Sequence, residues 1–157
     1  MPVFSVFDRE LPNRLKSMLA YQRQQPICIR LLSQHIYDFS LENESIFLVL
    51  RRLRTQKNAD ITLLLDKKMY NQAPQDVKDE IKKLEDVGIR FHTIKNLHAK
   101  IITVENNKEK CVLITSANLS NQGYYEAHEV GLYCQNHDNI YNEFKKYITN
   151  LIIMQNR

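Results

Sequence analysis

Long apolar runs are missing from this 157-residue sequence. The longest, Ile46-Phe47-Leu48-Val49-Leu50, spans five residues, against the roughly 20 that a transmembrane helix needs. No bilayer-spanning segment and no stable membrane association is therefore expected. No secretory leader is expected at Met1-Pro2-Val3-Phe4, which is soon followed by Asp8, Arg9 and Glu10, charges that interrupt the apolar core of such a leader. The expected location is the cytoplasm. Cysteine is scarce: Cys28, Cys111 and Cys134 are odd in number, lie in apolar stretches and form no Cys-x-x-Cys pair. They fit small buried residues in a reducing compartment, with no zinc-like spacing. Internal repeats, low-complexity tracts and long linkers are also absent, and the length fits one domain.

With 43% hydrophobic and 25% charged residues, the chain can bury an ordinary globular core. Its net charge of +4 is compatible with a polyanionic partner without requiring one. Leu11, Leu15, Met18 and Leu19 recur at helical spacing and predict a helix over Glu10–Tyr21. Ile27–Leu32 and Ile61–Leu65 read as strands, with a helix over Ser45–Arg54 between them. Pro74, the stripe Val77, Ile81 and Leu84, and the terminal Gly88 mark the clearest helix. Ile89–Ile94, Ala99–Val104, Cys111–Thr115 and Glu129–Cys134 follow as strands, with Asn106-Asn107-Lys108 as a hairpin tip. A closing amphipathic helix runs over Ile140–Met154. This alternation predicts an α/β fold with a mixed, mostly parallel sheet flanked by helices. Its divisions would be a lead-in helix segment (1–26), an α/β core carrying the hairpin (27–137) and a closing helix segment (138–157).

The chemistry concentrates in His98-Ala99-Lys100 and Thr115-Ser116-Ala117-Asn118. Residues i and i+2 of a strand share a face, so His98 and Lys100 project together. Asn118 follows a second apolar strand that the hairpin returns beside the first, so His98, Lys100, Ser116 and Asn118 converge. An imidazole, an ammonium and two neutral hydrogen-bonding groups suit a phosphate diester: histidine attacks phosphorus, while lysine and asparagine hold the non-bridging oxygens.

These residues resemble the signature of the phospholipase D superfamily, His-x-Lys-x4-Asp followed about ten residues later by Gly-Ser-x-Asn. His98, Lys100, Ser116 and Asn118 match it, and Glu129 falls where the family often places a downstream acid. The order of elements from Ile27 to Leu151 is also similar to that of the family. Two positions depart: Glu105 stands for the Asp and Thr115 for the Gly. The resemblance implies a phosphohistidine mechanism that needs two copies of the motif. With one copy in this chain, it implies a homodimer whose active site lies on the two-fold axis, each subunit giving His98, Lys100 and Asn118. One histidine then acts as nucleophile and the other as acid. Glu129 would hold an imidazole in the correct tautomer, as the acid of a hydrolase triad does. This chemistry requires no metal or other cofactor.

Ser116 suits either a phosphate contact or a turn hydrogen bond, and Glu105 suits a structural place in the hairpin. Lys67 and Lys68 follow a strand at the edge where open α/β sheets place their sites, which makes them candidates for substrate phosphates. Tyr124, with Tyr125, is a candidate to stack on a base or sugar. Arg51, Arg52, Arg54 and Lys57 read as a solvated helix face, and His35, His92, His128 and His137 follow no pattern. The expected activity is a metal-independent nuclease, cutting DNA or RNA within the strand. The alternatives are a lipid phosphodiesterase or phosphatidyl transferase, and a degenerate module that binds nucleic acid without catalysis.

Overall fold

The computed structural model describes residues 2–19 and 26–155. Nine strands occur among them: β1 (Val3–Phe7), β2 (Cys28–Ser33), β3 (Ser40–Leu41), β4 (Glu44–Ser45), β5 (Asp60–Asp66), β6 (Arg90–Ile94), β7 (Ile101–Glu105), β8 (Lys110–Thr115) and β9 (Val130–Gln135). The α-helices are α1 (Glu10–Leu19), α2 (Ile46–Lys57), α3 (Lys67–Asn71), α4 (Gln75–Asp86) and α5 (Asp138–Gln155), with one π-helical turn at Gln122–Glu126. The Tyr21 end expected for the first helix lies outside the described residues.

Seven strands form one sheet in the order β1-β9-β8-β7-β2-β5-β6. The sheet is mixed and flanked by helices, as the alternation of elements implied. Its parallel part is β2-β5-β6, and the other four neighbouring pairs are antiparallel. Antiparallel pairing is thus the larger share, because β7, β8 and β9 follow one another without a crossover helix and β1 returns to their edge. β5, Asp-Ile-Thr-Leu-Leu-Leu-Asp, is buried from Ile61 to Asp66, as its unbroken apolar run requires for a strand covered on both faces.

On one face Leu31, Leu63, Ile102 and Leu113 pack under α1, α2 and α4 through Leu11, Phe47 and Ile81. On the other, Leu32, Leu64, Ile101 and Val112 pack under Tyr141 and Ile148 of α5. Local chemistry sets the helix ends. Ser45 caps α2, its hydroxyl accepting from Phe47 N–H at 3.2 Å. Pro74 sits at the N-cap of α4, and Gly88 takes the left-handed φ of +95° that a helix exit needs and a β-carbon resists. Asn106 forms the β7–β8 tip, its side chain accepting from the N–H groups of Lys108 and Glu109 at 2.8 and 2.9 Å, a self-contained Asx turn.

Two expectations are corrected. The lead-in is a strand plus a helix, not a helix alone: β1 pairs Val3 with Cys134 and Phe7 with Val130, partners that no local pattern exposes. His98–Lys100 form an extended segment just ahead of β7, not part of the strand. The ladder nevertheless continues through them, since Thr115 N–H donates to the Lys100 carbonyl at 3.1 Å.

Candidate active site

The carboxyl ends of β2, β5, β6 and β8 and the amino ends of β7 and β9 share one edge of the sheet, as the pairing registers dictate. His98, Lys100, Ser116, Asn118 and Glu129 all leave the sheet there. Lys100 Nζ lies 3.1 Å from His98 Nε2 and 3.3 Å from Nδ1, close to both ring nitrogens. An ammonium only donates and a neutral imidazole has one acceptor nitrogen, so only one of these two contacts can be a hydrogen bond. His98 is exposed and Lys100 is 7% exposed. Burial pulls the Lys100 pKa below its ordinary value, opposed by the charge of Glu129.

Asn118 is held from β2. Its Oδ1 accepts from Gln34 N–H at 3.1 Å and from Ser33 Oγ at 3.2 Å. A backbone N–H cannot accept, so this contact fixes which end of the amide is oxygen. Among the described residues the amide nitrogen has no protein acceptor and remains a donor for an incoming anionic oxygen. Gly123, in the π-helical turn, packs against this backbone. A β-carbon there would be well inside contact distance of the Asn118 carbonyl oxygen and 3.0 Å from its nitrogen, so glycine lets the turn close on the site.

The Ser116 hydroxyl donates to the Glu129 carboxylate and accepts from Val130 N–H at 3.1 Å. Glu129 is fixed in turn by Asp8, whose Oδ1 accepts from Glu129 N–H at 2.9 Å and whose own N–H donates to the Glu129 carbonyl at 3.0 Å. The bond from Glu129 N–H to the Asp8 carboxylate, with one from His128, lowers the Asp8 pKa. The arrangement presents an imidazole, an ammonium and an amide donor on one exposed edge, backed by a hydrogen-bonded serine–glutamate pair. Its charge and donors suit an oxyanion of phosphorus.

The family model for the PLD-like domain of cardiolipin synthase matches residues 30–152, which include His98, Lys100, Ser116, Asn118 and Glu129. The chain belongs to the phospholipase D superfamily. No curated protein matches it by sequence, but its fold is shared widely. A phospholipase D family member, Nuc from Salmonella typhimurium, superposes with a TM-score of 0.76 at 14% identity, over 96% of this chain and 93% of that one. NucT from Helicobacter pylori gives 0.70 at 15%, over 96% of each chain. Phosphatidylserine synthase from Haemophilus influenzae gives 0.70 at 12%, over 94% of this chain but 36% of the larger protein. The fold is thus that of phospholipase D-like phosphodiesterases.

Both departures from the superfamily signature have local explanations. Thr115, in the glycine position, donates through Oγ1 to the Val130 carbonyl at 2.9 Å and accepts from Ala117 N–H at 3.1 Å, so the extra side chain is absorbed by the turn. Glu105 lies at the far end of β7, seven residues from His98, about 23 Å along an extended strand. It accepts from Tyr141 Oη at 2.8 Å, and Arg30 donates to that same oxygen at 3.1 Å. Glu105 therefore anchors α5 and does not reach the site.

Glu129 bonds to Ser116, and among the described residues it makes no bond to His98, so its expected hold on an imidazole is not made within this chain. Tyr124 is corrected outright. It is 2% exposed, stacked on Phe39 at 5.2 Å, and presents no ring for a base. Tyr125 is the exposed neighbour, its hydroxyl donating to the Ser40 carbonyl. Lys67 and Lys68 do stand exposed at the site's end of the sheet.

Sequence reasoning missed Ser33, Gln34, Asp8 and Asp66. Asp66 is 6% exposed and joins two elements. Oδ1 accepts from Met69 N–H at 2.9 Å, capping α3, and Oδ2 accepts from Leu97 N–H at 3.0 Å, one residue before His98. An aspartate closing an apolar strand was its only sequence signal. His35 lies near Lys100, and burial together with that charge lowers its pKa.

Proposed function

We propose that this chain is a metal-independent phosphodiesterase that cuts DNA or RNA within the strand. The observation that carries the proposal is His98 set 3.1 Å from the nearly buried Lys100, beside an Asn118 amide whose oxygen is already engaged. In this reading a His98 ring nitrogen attacks phosphorus and the bond to the leaving alkoxide breaks. That alkoxide takes a proton from a second imidazole, leaving phosphohistidine. Water then attacks the phosphohistidine, the second imidazole removes its proton, and His98 is released unchanged. Lys100 and Asn118 hold the non-bridging oxygens through both steps.

One chain supplies one such imidazole, so the proposal includes a homodimer with the site on its two-fold axis. An uncovered apolar strip supports it. Phe7, Val130 and Leu132 are 54%, 56% and 48% exposed, and they line a hollow of about 460 Å³ that also contains Ser116. A second copy seated there would arrive beside the first copy's site.

The test is hydrolysis of labelled DNA, RNA and phospholipid vesicles in the presence of EDTA by wild-type and His98→Asn protein. The expected result is nucleic-acid cleavage that His98→Asn abolishes, with label trapped on His98 as phosphohistidine. Cleavage that persists in His98→Asn, or that only a divalent metal restores, would overturn the reading. A lipid phosphodiesterase is the second reading, favoured by the cardiolipin synthase family model and the likeness to phosphatidylserine synthase. Release of a phospholipid headgroup without nucleic-acid cleavage would select it. Tight nucleic-acid binding with neither turnover nor phosphohistidine would select a binding module.

A further inference from the structure

Lys67, Lys68 and Lys95 surround a hollow of about 630 Å³, together with the amides Asn71, Gln72 and Asn96. Five other lysines, Lys16, Lys82, Lys83, Lys110 and Lys145, are matched by carboxylates. The three in the hollow form no ion pair among the described residues. Together they set three ammonium groups around one hollow. The hollow is also tied to the site. The Asp66 carboxylate holds α3, which carries Lys67 and Lys68, and Leu97, in the loop that carries Lys95 and His98. Asn96 turns that loop with a left-handed φ of +60°, a conformation that asparagine tolerates better than most residues.

We infer that this hollow binds the phosphodiester backbone of the strand being cut, to one side of the scissile phosphate. The inference rests on the nuclease reading of His98 and extends it from one phosphate to several. Lys95 lies three positions before His98, a reach of at most about 10 Å. That reach takes in the scissile phosphate and the next one or two along the strand. Lysines without partners, interleaved with neutral amides, suit a row of phosphates contacted without regard to base. A phospholipid presents one phosphodiester, or two in cardiolipin, and no repeating backbone to follow into such a hollow, so the feature favours a polymer.

The test measures binding without turnover. His98→Asn protein, with and without Lys67→Ala, Lys68→Ala and Lys95→Ala together, titrates a short fluorescein-labelled oligonucleotide by anisotropy over a series of salt concentrations. Each lost phosphate contact on a single strand lowers the slope of log affinity against log salt by about 0.7. The triple variant should bind at least about tenfold more weakly, with a slope smaller by about 2. The equally charged Lys82→Ala, Lys83→Ala and Lys146→Ala variant should keep the parent slope. Equal slopes for the parent and the Lys67/Lys68/Lys95 variant overturn the inference even if the wild-type protein cuts nucleic acid. So does binding to anionic vesicles through these lysines with no oligonucleotide binding. Failure of the nuclease reading shows separately, as absent cleavage by wild-type protein.

Discussion

Lys100 holds its ammonium on a side chain only 7% exposed, beside an imidazole and with no carboxylate in ion-pairing distance among the described residues. Desolvation disfavours its charged form, so the native state gives up stability for a group that the proposed chemistry needs. Lys100→Met should abolish diester hydrolysis yet raise stability by about 0.5–2 kcal/mol at neutral pH, read from urea unfolding. The folded pKa lies below the unfolded one, so between the two the unfolded chain binds more protons and stability rises with pH. The advantage of Lys100→Met should therefore shrink as pH climbs toward the ordinary lysine value of 10.5; an advantage that stays constant would show that burial of the charge is not its cause. His98→Asn should lower hydrolysis about 10³-fold or more with the unfolding curve little changed. Both side chains were legible because a two-residue spacing on extended backbone is a local pattern. The partners of Asn118 were not, since Ser33 and Gln34 lie 85 and 84 residues away. Nor was the burial of Tyr124, which depends on where the π-helical turn lands against Phe39.

At the scale of elements, the helices and central strands were readable because each carries its own period and its own caps. β1 was not: its five residues pair only with β9, across the whole length of the chain. Yet through Asp8 this strand holds Glu129, so part of the site's support was as hidden as the strand. Asp66 makes the coupling of elements testable. Asp66→Ala removes the α3 cap and leaves the Leu97 N–H without its acceptor, which together should cost about 2–4 kcal/mol. It should also lower turnover by freeing the His98 loop, measured as kcat on a small diester at a temperature where the variant remains folded. Full kcat in a destabilised variant would reduce Asp66 to a purely structural role. At the opposite end of β7, Glu105→Asp should retract the carboxylate from Tyr141 and lower stability by about 0.5–1.5 kcal/mol. Hydrolysis should be unchanged, because the site lies about 23 Å along the strand. Loss of activity without loss of stability would contradict that separation.

For the whole molecule, the decisive quantity is how activity scales with composition. A site on a two-fold axis contains two imidazoles, one from each copy, and each has a separate task. A mixed dimer of wild-type and His98→Asn chains then has one site with one imidazole, and cannot both attack phosphorus and protonate the alkoxide. If subunits exchange freely, active dimers form as the square of the wild-type fraction. An equal mixture should thus retain about a quarter of the activity of the same total amount of wild-type protein. A chain that acted alone would retain about half under the same arithmetic. The exposed strip of Phe7, Val130 and Leu132 supplies the matching structural control. Val130→Glu places a carboxylate where the second copy would sit, and each dimer brings two such charges together. Sedimentation should then show a single chain, and hydrolysis should fall with the loss of dimer rather than with any loss of folded structure by circular dichroism. An equal mixture that keeps half the activity, together with a Val130→Glu monomer that still cuts, would show that one chain builds a complete site and would remove the dimer from the mechanism.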